Sequence, residues 1–205
     1  GTGAYTSSAS TTVLGVPDAP TGLSATAGNT QASLSWTAPS NNGGASLSDY
    51  SIQYSTDNTT WTSFSHTAST TTSATITGLT KNTLYYFRVA AINSQGTGAY
   101  TSSASTTVLG VPDAPTGLSA TAGNTQASLS WTAPSNNGGA AVSDYSIQYS
   151  TDNTTWTSFS HTASTTTSAT ITGLTKNTLY YFRVAAINSQ GTGAYTSSAS
   201  TTVLG

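Results

Sequence analysis

The chain has 205 residues, of which only 5% are charged, and it carries a formal net charge of −2 with no cysteine and no methionine. Four basic residues cannot neutralise a row of phosphates, which excludes nucleic acid as a partner. Without cysteine there are no disulfides, thiolate zinc sites or cysteine nucleophiles, and no run of eighteen apolar residues is present to cross a membrane as a helix.

Almost everything in the sequence occurs twice. Gly1–Gln95 recurs as Gly96–Gln190 with two changes, Ser46 to Ala141 and Leu47 to Val142, and Gly191–Gly205 repeats Gly1–Gly15. A unit of this length has the size of an independent domain. The expected organisation is therefore a domain over 16–110, a second over 111–205, and Gly1–Gly15 as the last strand of a preceding repeat. Lacking methionine, the chain is expected to be an excerpt or a mature product.

Along the first repeat, Ala32, Leu34 and Trp36 alternate with Ser33, Ser35 and Thr37, the period-2 pattern of a strand with one buried face. The turn formers Pro39-Ser40-Asn41-Asn42-Gly43-Gly44 end that strand. A second alternation follows in Tyr50, Ile52 and Tyr54. After a turn at Asp57-Asn58 come a short run over Trp61–Phe64, a strand around Ala74 and Ile76, and a turn at Gly78. Tyr85, Phe87, Val89 and Ala91 then share one face, with Tyr86, Arg88 and Ala90 on the other. Tyr100–Leu109 reads as a final strand rich in serine and threonine. No window has helical spacing, and short strands separated by turns predict an all-β sandwich.

Taken together, these residues resemble a fibronectin type III domain. The opening half is carried by Pro17-Asp18-Ala19-Pro20, Leu23, Leu34-Ser35-Trp36, Pro39 and Gly43-Gly44, with Tyr50 and Tyr54. The closing half is carried by Gly78-Leu79, Thr83, Tyr85, Phe87-Arg88-Val89, Ala91, Asn93 and Gly96-Thr97-Gly98. The resemblance covers both repeats and implies two tandem seven-stranded immunoglobulin-like sandwiches. It also implies that Trp36 and Trp131 fill the cores and that Tyr85 and Tyr180 are tyrosine-corner residues. The Asn-Asn-Gly-Gly loop and the hydroxyl-rich faces look more like modules of bacterial surface proteins and secreted polysaccharide-degrading enzymes than like animal adhesion proteins. The turn Asn93–Gly98 carries no Arg-Gly-Asp triplet, so integrin binding is not implied.

Each repeat offers few groups for chemistry: Asp18, Asp49, Asp57, His66, Lys81 and Arg88. The aspartates are far apart in sequence and are read as turn caps, one histidine makes no metal site, and the absence of glutamate narrows the choice of acid further. No catalytic residue, metal or cofactor is expected. His66 is read as an exposed polar residue. Trp61 and Trp156 are the candidates for stacking on a sugar ring, and Asn58 and Asn153 begin Asn-Thr-Thr glycosylation sequons.

Between the repeats, Pro112 and Pro115 restrict the chain, predicting a semi-rigid rod of about 30–35 Å per domain. The two or three residues after Gly1–Gly15 reach at most about 10 Å, too little for that segment to close the domain that follows it. The expected role is a non-catalytic spacer, stalk, adhesin shaft or fibre at the cell surface or outside the cell. Its expected partners are neighbouring identical repeats or copies of the chain, with polysaccharide as a further partner. The alternative is a carbohydrate-binding or accessory module of a secreted polysaccharide-active enzyme.

Overall fold

Alternating small polar and large apolar residues leave each strand of this chain one face to bury, and two such sheets cover each other. The computed structural model describes residues 13–205, so the expectation for Gly1–Gly15 falls largely outside the described residues. In the first repeat the strands are β1 (Thr21–Gly28), β2 (Gln31–Thr37), β3 (Asp49–Ser55), β4 (Thr62–Ser63), β5 (Ser73–Thr77), β6 (Thr83–Asn93), β7 (Gly96–Tyr100) and β8 (Ala104–Val108). One sheet has the order β1-β2-β5; the other runs β4-β3-β6-β7, with β8 also paired to β6.

The second repeat has the same plan: β9 (Thr116–Gly123), β10 (Gln126–Thr132), β11 (Asp144–Ser150), β12 (Thr157–Ser158), β13 (Ser168–Thr172), β14 (Leu179–Asn188), β15 (Gly191–Thr192) and β16 (Ala199–Thr202). Its sheets are β9-β10-β13 and β12-β11-β14-β15, with β16 on β14. The described chain is all β, arranged as two immunoglobulin-like sandwiches.

Cores form where the alternation places them. Ala32, Leu34, Trp36, Tyr50, Ile52, Ile76, Tyr85, Phe87, Val89 and Ala91 are buried, as are their counterparts in the second repeat. Trp36 meets Tyr50 edge to face at 5.1 Å, and Trp131 repeats the contact with Tyr145. The tyrosine-corner expectation holds at Tyr180, whose hydroxyl accepts a hydrogen bond from the Thr175 backbone N–H at 3.3 Å. Of the two differing positions, Val142 packs against the second core, which explains why an apolar residue is kept there.

Two features depart from the sequence reading. Strand β1 carries only Leu23, Ala25 and Ala27 toward the interior, too little apolar alternation to mark it beforehand. The expected single strand over Tyr100–Leu109 is split into β7 and β8, and the Gly96-Thr97-Gly98 turn is itself strand. The cause is Thr101. Its N–H donates to the Val89 carbonyl at 2.9 Å while its hydroxyl accepts from the Val89 N–H at 3.2 Å, so a side chain replaces a ladder rung where the register shifts between Ala90 and Ile92.

Tertiary contacts divide the chain into two compact units. The described part of the first runs to Thr26 and includes Ser33–Ile76 and Leu84–Thr106; the second comprises Ala27–Ala32, Thr77–Thr83 and Thr107–Gly205. Within the second unit, buried Asn188 donates through Nδ2 to the carbonyls of Gly110 and Asn137, both at 2.8 Å, and accepts the Gln190 N–H at Oδ1. Gly110 donates its N–H to Gly138 at 2.8 Å. Gly138 has φ +74°, and a Cβ there would collide with the Gly110 carbonyl, so only glycine fits. Within the first unit, Asn93, Gly15, Asn42 and Gly43 reproduce this clamp.

Candidate functional site

The outward face of the β4-β3-β6-β7 sheet gathers the aromatic residues that the core does not take. Cross-strand register sets Gln53 opposite Arg88. Arg88 Nε donates to Gln53 Oε1 at 2.8 Å, which anchors the guanidinium over this face. Its carbon lies 4.2 Å from the centroid of the Trp61 ring and 4.3 Å from that of Tyr100. Tyr100 is fixed in turn by a 2.8 Å hydrogen bond between its hydroxyl and Ser51 Oγ. The second repeat builds the same stack from Trp156, Arg183 and Tyr195.

One ring face of Trp61 therefore carries a guanidinium, and the sugar-stacking expectation for Trp61 and Trp156 rests on the other face. Arg88 was assigned to this side of its strand by alternation. Its position between two rings depends on the path of the loop carrying Trp61, which no local spacing reveals.

Elsewhere the ionisable groups hold turns and loops. Asp57 Oδ1 accepts the N–H groups of Thr60 and Thr59 and the Ser55 hydroxyl. These bonds hold its carboxyl well below the usual carboxylate range, and Asp152 behaves alike. Asp49 accepts the Ser69 N–H at 3.0 Å. Asn58, in the same turn as Asp57, is exposed with φ +58°, and Asn153 matches it at φ +60°.

His66 is exposed, as the sequence reading has it, and it is also tied to two backbone carbonyls. Its Nε2 lies 2.9 Å from the Tyr50 carbonyl and its Nδ1 3.0 Å from the Thr67 carbonyl, with Asp49 3.9 Å away, so the ring ties the 64–72 loop to β3. Its side chain keeps 21% exposure. Within the second unit, Lys81 Nζ bonds the Val111 carbonyl at 2.8 Å and Asp113 Oδ1 at 2.7 Å. Sequence reasoning missed both anchors, because each joins residues distant along the chain.

Among the described residues no group of three His, Cys, Asp or Glu could hold a metal ion, and no helix is long and apolar enough to cross a membrane.

Titin of Drosophila melanogaster is 29% identical over 187 residues, covering 87% of this chain and 1% of that protein. A Kelch domain-containing protein of Saccharolobus solfataricus is 35% identical over 120 residues, covering 58% of this chain and 16% of that protein. The chain thus spans a small fraction of either relative. Among solved structures, the chicken CNTN1 FN1–FN3 domains align with a TM-score of 0.48 and 20% identity, over 94% of this chain and 69% of that one. The family model described as the fibronectin type III domain matches residues 18–108 and again 113–203, and with most of its length so matched this chain belongs to the fibronectin type III family.

Proposed function

We propose that the chain is a structural segment of an extracellular or cell-surface array, a semi-rigid and non-catalytic spacer within a stalk, shaft or fibre, with neighbouring identical repeats as its partners. The observation that carries this reading is the chain between 109 and 113, where successive backbone groups are engaged. Leu109 N–H donates to Gly28, Gly110 to Gly138 and Asp113 to Asn136, while the Val111 carbonyl accepts from Lys81. These bonds fix residues 109–113 within the second unit.

Two further facts support it. The repeats differ at two positions, so each copy presents the same surfaces to its neighbours. With 5% charged residues, long-range electrostatics contribute little to the spacing between repeats.

The test is the contour length of chains built with increasing numbers of the repeat, seen by electron microscopy. Threads that lengthen in proportion to repeat number support the reading, and globular particles overturn it. An accessory role in polysaccharide binding is a second reading, favoured by the cleft described next.

A further inference from the structure

Each repeat contains a cleft between the edges of its two sheets. In the first repeat its volume is about 270 Å³, and its floor is Trp36, Tyr50 and Ile52; Ala74 of β5 lines one side and Phe64 and His66 the other. The second repeat has the same cleft, about 280 Å³, on Trp131, Tyr145, Ile147, Ala169, Phe159 and His161. We propose that each cleft binds one neutral pyranose unit of a polysaccharide, so that the array displays one sugar site per repeat. The proposal does not depend on the spacer role.

Size limits the ligand first. Pockets for drug-sized molecules run from about 300 to 1,000 Å³, so a cleft just under that range takes a single ring-sized unit. Charge limits it next. No Asp, Glu, Lys or Arg lines either cleft, so no fixed carboxylate, ammonium or guanidinium there would compensate a charged ligand.

The walls then define the chemistry. Phe64 and His66, stacked on each other with an interplanar angle of 17°, both line the cleft and give it an aromatic side. Thr67, Ser69, Thr71 and Thr75 supply hydroxyls that donate and accept.

The floor carries the most telling feature. The indole Nε1 of Trp36 and of Trp131 is buried without a hydrogen-bond partner, as is the Tyr50 hydroxyl. Burial raises the Tyr50 pKa above its ordinary value, and the adjacent Trp36 indole offsets part of that rise, yet the contact lacks hydrogen-bond geometry. Buried N–H groups are nearly always paired, so an unpaired indole N–H beneath the cleft is unusual.

The rival occupant is an extended peptide added to the outer edge of β5, which is terminal in its sheet. The Thr71 hydroxyl, however, reaches the Ser73 carbonyl on that edge at 3.4 Å, and an added strand would have to displace it. Repetition of the site lets weak single contacts sum along one polymer.

The test follows the four indole N–H resonances in an NMR titration of the whole chain with glucose, galactose, N-acetylglucosamine and cellohexaose at millimolar concentration. The expected result is saturable movement of Trp36 and Trp131, with Trp61 and Trp156 unmoved, and tighter binding of a hexasaccharide than of its monomer. Ala74→Leu with Ala169→Leu, which fills both clefts, weakens binding by about tenfold or more. Should that variant fail to fold, the unmodified chain's resonance map decides alone. No movement with any of the four sugars overturns the proposal. Movement confined to Trp61 and Trp156 overturns it too, as does saturation of the cleft by a serine- and threonine-rich peptide in place of sugar.

Discussion

Arg88 lies over Trp61 with its guanidinium carbon 4.2 Å from the ring centroid, and the same relationship recurs between Arg183 and Trp156. The only arginine of each repeat is thus spent on joining strand β6 to the loop before β4. A double-mutant cycle with Arg88→Ala and Trp61→Ala, read by chemical denaturation, is expected to give a coupling of about 0.5–1 kcal/mol. Arg88→Lys keeps the charge but loses the planar contact and the bond to Gln53, so its coupling is expected to be smaller.

Asn188 uses all its side-chain hydrogen-bonding directions that matter here, donating twice and accepting once. Asn188→Ala leaves two carbonyls without their partner and is expected to cost about 1–3 kcal/mol by thermal or denaturant unfolding. Asn188→Asp sets a carboxylate against the same two carbonyls. It is expected to be the more damaging change, and a milder effect than that of alanine would contradict the assigned donor roles.

Gly138 and Gly173 both have positive φ, +74° and +76°, but only Gly138 has another backbone in its way. Gly173→Ala is expected to cost about 1–2 kcal/mol for the left-handed conformation alone. Gly138→Ala adds the collision with the Gly110 carbonyl and is expected to cost clearly more. Equal unfolding free energies for the two variants would contradict the close approach.

Acid sensitivity follows from Asp57 and Asp152, whose carboxyls are held below their ordinary range by the hydrogen bonds they accept in the native turn. A carboxylate with a lowered native pKa stabilises the fold at pH above its unfolded value, about 3.9, and that stabilisation is lost as pH falls through the lower native value. Stability is therefore expected to decline below about pH 4. In the Asp57→Asn and Asp152→Asn variant the decline should be shallower, as measured by unfolding midpoints across pH.

Much of the sandwich was legible in the sequence because its signal is local. Alternation in Ala32–Trp36 and Tyr85–Ala91 names both the strand and its buried face, and those faces are buried, although Ala90 on the opposite face is buried too. Strand β1 is not legible, because alanines and one leucine make a weak pattern, nor is the break between β7 and β8, because Thr101 interrupts the ladder with a side-chain bond that spacing does not encode. The clefts were not legible. Trp36 reads as core and is core; that its N–H lacks a partner depends on where Tyr50 and the 64–72 loop come to rest. His66 and Lys81 were read singly, although each acts through a residue remote in sequence.

The central claim, that the chain is a spacing element, is tested most directly by small-angle scattering from chains with increasing repeat number, at about 0.01 M and about 1 M salt. Between these the Debye length falls from about 30 to about 3 Å, removing any electrostatic contribution to spacing. The account predicts a maximum dimension that grows by about 30–35 Å with each added repeat and is the same at both salts. A dimension that does not grow with repeat number, or that changes with salt, would contradict it.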